Sequence, residues 1–444
     1  MGISLMPEPA YLMTMGDGTI KQINPTTGTR VWTVTGRSSR PLTHPEMESR
    51  PVSDTDWTHG CAFCSARYME TPPEKARMVL DGTRWRMMEH LPAEKLFSTV
   101  AEFRVVPNLF EIVSYDYWHE NYGYELPPDM VEHKRVYLST EQGRRHVLAV
   151  QSAKLRQAGK SSDEIAAMSQ DELLDQADAF FGGGHDVVIA RKHWVDGAKT
   201  TAQLASSGTL TPDEHEQYIQ LTLHAMANLY ANNRYARYVA VFQNWLKPAG
   251  ASCDHLHKQL VAIDEHGANA DQVVHRLREN PNFFNECGVN YATYHNLLVA
   301  ENDSAIAYAG FGHRYPTIEL YSKSPQVHPW RQSAEEVRDM SDLIQAVHAA
   351  TGSAVPSNEE WHHVPVDVDV PMPWRINIKW RISTVAGFEG DTKIYINTVS
   401  PAEISQVVTS RLRELRQSGV IADMRIGEEC TGEPNPLRYR FAIS

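Results

Sequence analysis

Hydrophobic positions along this 444-residue chain change period several times, and each change marks an expected element. Residues 19–23 read as extended and 30–34 alternate around an Asn24-Pro-Thr-Thr-Gly28 turn, which predicts a hairpin. Residues 38–50 are polar and contain proline, as a loop would. Residues 103–112 read as a strand, with Pro107 confining it to an edge or a strand end. Between about 120 and 180 the chain turns rich in charge, Gln and Ala, with helical stretches at 139–158 and 162–181. This segment reads as a helical insertion. A glycine turn then leads into a buried strand ending near 190.

The clearest helix opens at Thr211, an N-cap followed by Pro212 at the first position and Glu214 at the capping-box position. Tyr218, Leu221, Leu223, Met226 and Leu229 follow a roughly helical period. Strands are expected at 238–244 and 260–263, flanking a loop that carries glycine and histidine. The second half starts near Glu286. It adds strands at 294–300, 317–322 and 374–383, helices at 333–350 and 400–417, and a turn with a short strand at 387–397. Its strand–helix arrangement echoes the first half without a convincing sequence repeat. The pattern as a whole is α+β.

Composition narrows the function classes. Hydrophobic residues make up 42% and charged ones 22%, as in folded proteins. With 42 basic and 55 acidic residues the formal charge is −13, which argues against a dedicated nucleic-acid binder. No run of about 18 apolar residues occurs, so no membrane span is expected. The first residues lack the basic start and apolar core of a secretory signal. Five cysteines, an odd and sparse set, do not form a disulfide framework. The expectation is a cytoplasmic protein.

Two constellations carry chemistry. Cys61-x-x-Cys64 can grip one Zn²⁺ from a tight turn, or serve as a redox pair. Ser252-Cys-Asp-His255-Leu-His257-Lys-Gln259 holds a His-x-His, which on extended backbone places both imidazoles on one face. One can bind metal while the other does chemistry beside it; the alternative is a pair of ordinary loop histidines. Asn244, Gly250, Ser252 and Gln259 around them suit a phosphate, through close backbone approach and neutral hydrogen bonds. Arg37 and Arg40 are either phosphate partners or solvated loop charges.

Here the chain resembles the galactose-1-phosphate uridylyltransferase branch of the histidine-triad (HIT) superfamily. That branch carries Asn, then Gly-x-Ser-x-x-His-Pro-His-x-Gln; this chain has Asn244 and Gly250-Ala-Ser252-Cys-Asp-His255-Leu-His257-Lys-Gln259, with Leu256 in place of the usual proline. Asn24 to Gly28, Trp32 and Gly36-Arg-x-x-Arg40-Pro41 look like its opening hairpin and arginine loop. Cys61-x-x-Cys64 with Thr71-Pro-Pro-Glu74 looks like its zinc knuckle, and Val106-Pro-Asn-Leu-Phe110 is similar to a family strand. Gly184-His-Asp-Val-Val-Ile189 leading to His193 looks like the approach to its third zinc ligand. Ala386-Gly-Phe-Glu389, Tyr395-Ile-Asn397 and Pro401 are similar to its C-terminal signature. Residues 120–180 lie outside the resemblance.

The resemblance implies two HIT-like units of antiparallel sheet flanked by helices, 1–285 and 286–444, with the insertion in the first. It implies His257 as nucleophile, with Gln259 and Ser252 holding the transferred phosphoryl group. Arg37, Arg40, Asn244 and Gly250 would bind substrate. Cys61, Cys64, His193 and His255 would bind a structural zinc, with His119 as a rival to His193; His185 reads as a strand or turn residue. The implied activity moves a nucleoside monophosphate from a nucleotide sugar to a sugar 1-phosphate, by a covalent nucleotidyl-histidine. A phosphorylase or hydrolase using the same histidine is one alternative, and a silent zinc-stabilised nucleotide-binding protein is another. Relatives further imply a homodimer.

Some relatives carry a further metal on a His-x-His at the place of Arg375 and Asn377, so no second metal is expected there. Arg375 and Lys379 share a strand face, either toward phosphate or toward solvent. His362 and His363 read as loop histidines, Lys258 as either a phosphate contact or a solvated side chain, and Cys253 as packing. Cys287 and Cys430 have no motif.

Overall fold

The computed structural model of the protein describes residues 10–35 and 49–442. Arg37 and Arg40 lie outside the described residues. In chain order the early strands are β1 (Leu12–Thr14), β2 (Ile20–Ile23), β3 (Arg30–Thr33), β4 (Ala76–Asp81), β5 (Arg84–Glu89) and β6 (Phe103–Pro107). The middle ones are β7 (His185–Ala190), β8 (Tyr238–Trp245), β9 (His257–Ile263), β10 (Leu298–Glu301), β11 (Ala305–Ala309) and β12 (Thr317–Ser322). Last come β13 (Ser357–His362), β14 (Arg375–Trp380), β15 (Ile394–Asn397) and β16 (Arg425–Ile426). The architecture is α+β, as the sequence pattern predicts, with antiparallel sheet flanked by helices, as the resemblance implies.

The main sheet has twelve strands in the order β16-β10-β11-β12-β14-β13-β8-β9-β7-β6-β4-β5. All its pairings are antiparallel. The β2–β3 hairpin forms as expected and belongs to a second, four-stranded sheet, where β15 from the far end of the chain pairs parallel to β3.

The order of the main sheet repeats about its middle. β7, the Pro212–Asn232 helix, β8 and β9 on one side answer to β12, the Ala334–Thr351 helix, β13 and β14 on the other. The two sides meet where β8 pairs with β13, Asn244 opposite Asn358 and Gln243 opposite Glu359. Both helices open with the capping boxes their sequences announce, at Thr211 and Ser333. Every apolar position picked out in the first of them is buried, from Tyr218 to Leu229. The helices touch through His215 Nδ1 and Ser341 Oγ, 2.7 Å apart.

Several expectations shift at their edges. The 103–112 strand stops at Pro107, which has no amide hydrogen to continue the ladder. The stretch around 294 is a short helix, Tyr291–Tyr294, before β10 begins. The 162–181 helix is three short ones, Ser162–Ala166, Gln170–Asp175 and Ala179–Gly182. The 139–158 helix is Glu141–Gln157, preceded by Pro128–Leu138. His362 closes strand β13 instead of lying in a loop.

Lys258 neither meets solvent nor faces a phosphate-sized opening. Strand alternation turns it to the face opposite His257 and Gln259. There its ammonium lies 2.6 Å from both Glu359 carboxylate oxygens and 3.1 Å from Gln243 Oε1. Both charged side chains are wholly buried. His348 and Trp361 also bond the carboxylate, at 2.7 and 2.5 Å. Burial pushes the Glu359 carboxyl up, but Lys258 and His348 outweigh it and hold it well below its usual range. Burial alone pulls the Lys258 ammonium down, against the attraction of Glu359.

Removing one member of such a pair leaves an uncompensated buried charge, at a cost of about 3–5 kcal/mol. Glu359→Gln is therefore expected to destabilise the fold by about that amount in denaturant unfolding. A change below about 1 kcal/mol would mean that water reaches Lys258.

Candidate active site and metal centre

The loop between β8 and β9 carries most of the site. It leaves β8 through Leu246 and a short turn, and Gly250 takes a left-handed φ of +89° that disfavours any side chain. It returns at His255 and Leu256 beside the end of β7. Ala190 N–H donates to the Leu256 carbonyl at 3.0 Å, and His255 Nε2 donates to the Ala190 carbonyl at 2.6 Å. Leu256 is fully buried in the main core.

Because His255 spends Nε2–H on that carbonyl, its Nδ1 is free to ligate. Nδ1 lies 3.3 Å from Cys61 Sγ and 3.8 Å from Cys64 Sγ. Cys64 Sγ lies 3.5 Å from His193 Nδ1 and 3.8 Å from Cys61 Sγ. The donor atoms of these four residues all fall within 4.8 Å of one another. A tetrahedral zinc with ordinary bond lengths needs sulfur–sulfur edges of about 3.8 Å and sulfur–nitrogen edges of about 3.6 Å. The Cys61–Cys64, Cys61–His255, Cys64–His255 and Cys64–His193 edges, 3.3–3.8 Å, lie within about 0.3 Å of those figures. His193 stacks on Trp194 at 3.9 Å, which fixes its ring plane. His119 stands elsewhere, half-exposed on the Tyr115–Tyr122 helix with Nδ1 on the Tyr124 carbonyl. Cys253 lies against Cys61, whose sulfur pulls the Cys253 thiol down to about 7.

His257 begins β9, opposite Ile189 of β7, and Gln259 sits opposite Val187. Both point to one face, by the two-residue period of a strand. His257 Nδ1 lies 2.7 Å from the His255 carbonyl oxygen. A carbonyl only accepts, so Nδ1 carries the proton and Nε2 keeps its lone pair. The ring is 4% exposed and packs edge-on against Phe63 at 5.2 Å. Burial pulls its pKa below the ordinary imidazole value.

His257, Gln259 and Ser252 line one cavity of about 420 Å³. Phe63, Met69, Thr71, Val106, Asn108 and Phe110 form further wall. The insertion supplies part of the lining too: Ala149, Val150, Ala153 and Gln157 of the Glu141–Gln157 helix. That helix is docked by His146, whose Nε2 donates to the Thr71 carbonyl at 2.8 Å and whose Nδ1 meets Tyr137 OH at 2.6 Å. Sequence reasoning left the insertion without a role, because the wall exists only once the segment folds back onto Thr71.

Asn244 and Gly250 come together but lie outside that cavity's lining. A Cβ on Gly250 would stand 3.9 Å from Asn244 Nδ2, and Asn244 Oδ1 accepts from Asn358 Nδ2 at 2.7 Å. Arg375 is 6% exposed, with its guanidinium 5.3 Å from the Phe284 ring centre, and Lys379 pairs with Glu360 at 2.5 Å. Asn377 lies 3.3 Å from His362 Nε2. His185 is absorbed into the main site: its Nε2 lies 3.1 Å from Gln259 Oε1. Among the described residues no helix is long and apolar enough to cross a membrane.

Comparison with known proteins places the fold. A family profile described as a domain of unknown function, DUF4921, matches residues 15–439. An ADP-glucose phosphorylase from Arabidopsis thaliana is 27% identical over 192 residues, 41% of this chain and 54% of that protein, so the chain spans about half the length of that curated relative. The crystal structure of an ADP-glucose phosphorylase from Arabidopsis thaliana with bound ADP-glucose has 19% sequence identity and a TM-score of 0.55, covering 88% of this chain and 97% of that one. A galt-like protein from Arabidopsis thaliana has 19% identity and a TM-score of 0.54, covering 87% and 97%. The fold is thus the GalT-like one that the sequence resemblance implies.

A metal held by these four donors would lock three chain segments together. Cys64→Ser is expected to lose stoichiometric zinc by elemental analysis and to lower the melting temperature of the full chain. Retention of one zinc per chain would rule out this ligand set.

Proposed function

The chain belongs to the DUF4921 family, whose description carries no activity, and from its site we propose that it transfers a nucleotide from a nucleotide sugar to a phosphate-bearing acceptor through His257. The observation that carries this reading is the His255 carbonyl on His257 Nδ1, which leaves Nε2 unprotonated in a wall of the 420 Å³ cavity. In the proposed step the Nε2 lone pair forms a bond to the α-phosphorus. The bond from that phosphorus to the bridging oxygen breaks, and the sugar 1-phosphate leaves with the electron pair. The nucleotide remains as a phosphoramidate on His257. An acceptor phosphate oxygen then attacks the same phosphorus, and the imidazole departs neutral. Two transfers through one nucleophile give ping-pong kinetics.

Gln259 and Ser252 supply neutral hydrogen bonds to the phosphoryl oxygens, and positioning does most of the remaining work. Arg37 and Arg40 belong to this reading as phosphate partners, and Asn244 with Gly250 as substrate contacts. Cys61, Cys64, His193 and His255 would hold a structural zinc, since four protein ligands leave no open position. The reading also divides the chain into units 1–285 and 286–444. Its support is the strand order that each side of the main sheet repeats.

Two acceptors fit. A sugar 1-phosphate is the one the uridylyltransferase resemblance implies. Inorganic phosphate is favoured by the relative, an ADP-glucose phosphorylase.

Incubation with α-labelled ADP-glucose or UDP-glucose is expected to leave acid-labile, alkali-stable label on the protein, and His257→Asn to abolish it. Discharge of that label by phosphate alone selects the phosphorylase; discharge by a sugar 1-phosphate selects the transferase. Absence of label with every nucleotide sugar would sink the transfer reading. Ala153→Leu narrows the cavity from the insertion side and is expected to raise the KM for the nucleotide sugar about tenfold or more, with little change in melting temperature.

A further inference from the structure

Beside Gln259 stands a buried histidine that does not line the cavity and touches the site only through other side chains. His185 opens β7 and is 1% exposed. Its Nδ1 receives the Ile112 backbone N–H at 3.1 Å. An imidazole nitrogen that accepts cannot carry a proton, so the ring's single hydrogen resides on Nε2. Burial supports that neutral state by pulling the ring's pKa to about 4. The acceptor within reach of Nε2–H is Gln259 Oε1, at 3.1 Å.

Asn108 adds a second constraint in the same sense. Its Oδ1 accepts from Phe110 N–H at 2.9 Å, which leaves its amide nitrogen facing inward. That nitrogen lies 3.0 Å from His185 Nε2 and 3.4 Å from Gln259 Oε1. Two donors thus stand side by side, sharing one acceptor. The Gln259 carboxamide has only one oxygen, and both donors claim it. Its NH₂ is left for the cavity that His257 also lines.

The geometry points to His185 as a positioning residue that fixes which end of the Gln259 amide meets the transferred phosphoryl group. This rests on the nucleotidyl-transfer reading for its consequence, though not for its geometry. With the amide reversed, a carbonyl oxygen would face phosphoryl oxygens and repel them. A freely flipping amide would present its donor only part of the time. His185 touches neither substrate nor the reacting phosphorus in this arrangement. It acts by removing the wrong orientation before substrate arrives.

The test compares His185→Leu, which deletes both ring nitrogens, with His185→Gln, whose amide nitrogen can reach Gln259 Oε1 again. In single-turnover labelling of the full chain with ADP-glucose or UDP-glucose, His185→Leu is expected to slow transfer onto His257 about 10- to 100-fold, as misplaced groups do. Melting temperature and zinc content are expected to hold in both variants, and His185→Gln to recover most of the rate. In a Gln259→Leu background, His185→Leu is expected to add no further loss, because it acts through that amide. An unchanged rate in His185→Leu, a Gln variant as slow as the Leu variant, or a second full loss in the double variant would each overturn the proposal. If the unaltered protein takes no label from any nucleotide sugar, the transfer reading fails by itself. The orientation is then decided by ¹⁵N NMR of histidine-labelled chain. The His185 signals, assigned by their loss in His185→Gln, are expected to show a protonated Nε2 and a bare Nδ1; the opposite tautomer would overturn the proposal.

Discussion

A lysine ammonium sealed inside the protein joins the two sides of its main sheet. Lys258 belongs to β9 and Glu359 to β13, with β8 lying between them, so the pair spans three strands. Two charges leave water only when their mutual geometry and further hydrogen bonds compensate the desolvation. Here Gln243, His348 and Trp361 supply those bonds. The pair restricts register as well as position. Moving β9 by one residue would carry Lys258 to the cavity face and His257 into the core, since a strand's side chains alternate. The placing of His257 at the cavity and the burial of Lys258 are therefore one constraint seen from two faces of one strand.

The same economy governs the other end of the motif. His255 directs Nε2–H to the Ala190 carbonyl and Nδ1 to the sulfur cluster, while its own carbonyl fixes the tautomer of His257. One residue thus ties the knuckle at Cys61 and Cys64 to His257 two positions away. An imidazole held by a second hydrogen bond has one nitrogen and one direction left for its task. His255, His257 and His185 all obey this rule. In each the partner that sets the tautomer is a backbone group: the Ala190 carbonyl, the His255 carbonyl and the Ile112 amide.

What could be read in the chain divides by the range of the interaction. The capping boxes at Thr211 and Ser333 and the 3.6-residue period behind Thr211 are local, and they appear as expected. The candidate metal donors Cys61, Cys64 and His255 sit in short motifs, and His193, which the fold brings beside them, is marked by the segment that leads to it. The β4–β5 hairpin went unread although Asp81-Gly82 marks its turn, where Gly82 takes a φ of +65°. Arginine-rich strands hid the alternation around it. His362 looked like loop because Ser357 to His363 is mostly polar, yet the segment is the central strand that joins the two sides. Lys258 was ambiguous because its partner lies 101 residues away. His185 could be placed on a strand, but its role depends on which ring nitrogen carries hydrogen, and that is set by a backbone amide from another segment.

The insertion follows the same logic at larger scale. Its core of Tyr137, Val147, Val150, Leu174, Phe180 and Phe181 is separate from the main one. A small core of this kind stabilises little alone, so the segment depends on its docking at Thr71 and on the wall it shares. Val147 and Gln151 of the Glu141–Gln157 helix are buried, while Ala149, exposed, and Ala153, half-buried, line the cavity. Small side chains there leave room that longer ones would fill. For a phosphoramidate intermediate this wall has a chemical consequence. In the proposed transfer, nucleotide held on His257 must meet an acceptor phosphate before water does, and the mostly apolar wall of Ala149, Val150 and Ala153 lowers the supply of water without adding a competing nucleophile. On the transfer reading, the insertion thus weights the outcome toward phosphate acceptors and away from hydrolysis. It does so through the space it encloses, with no residue of its own in the reaction.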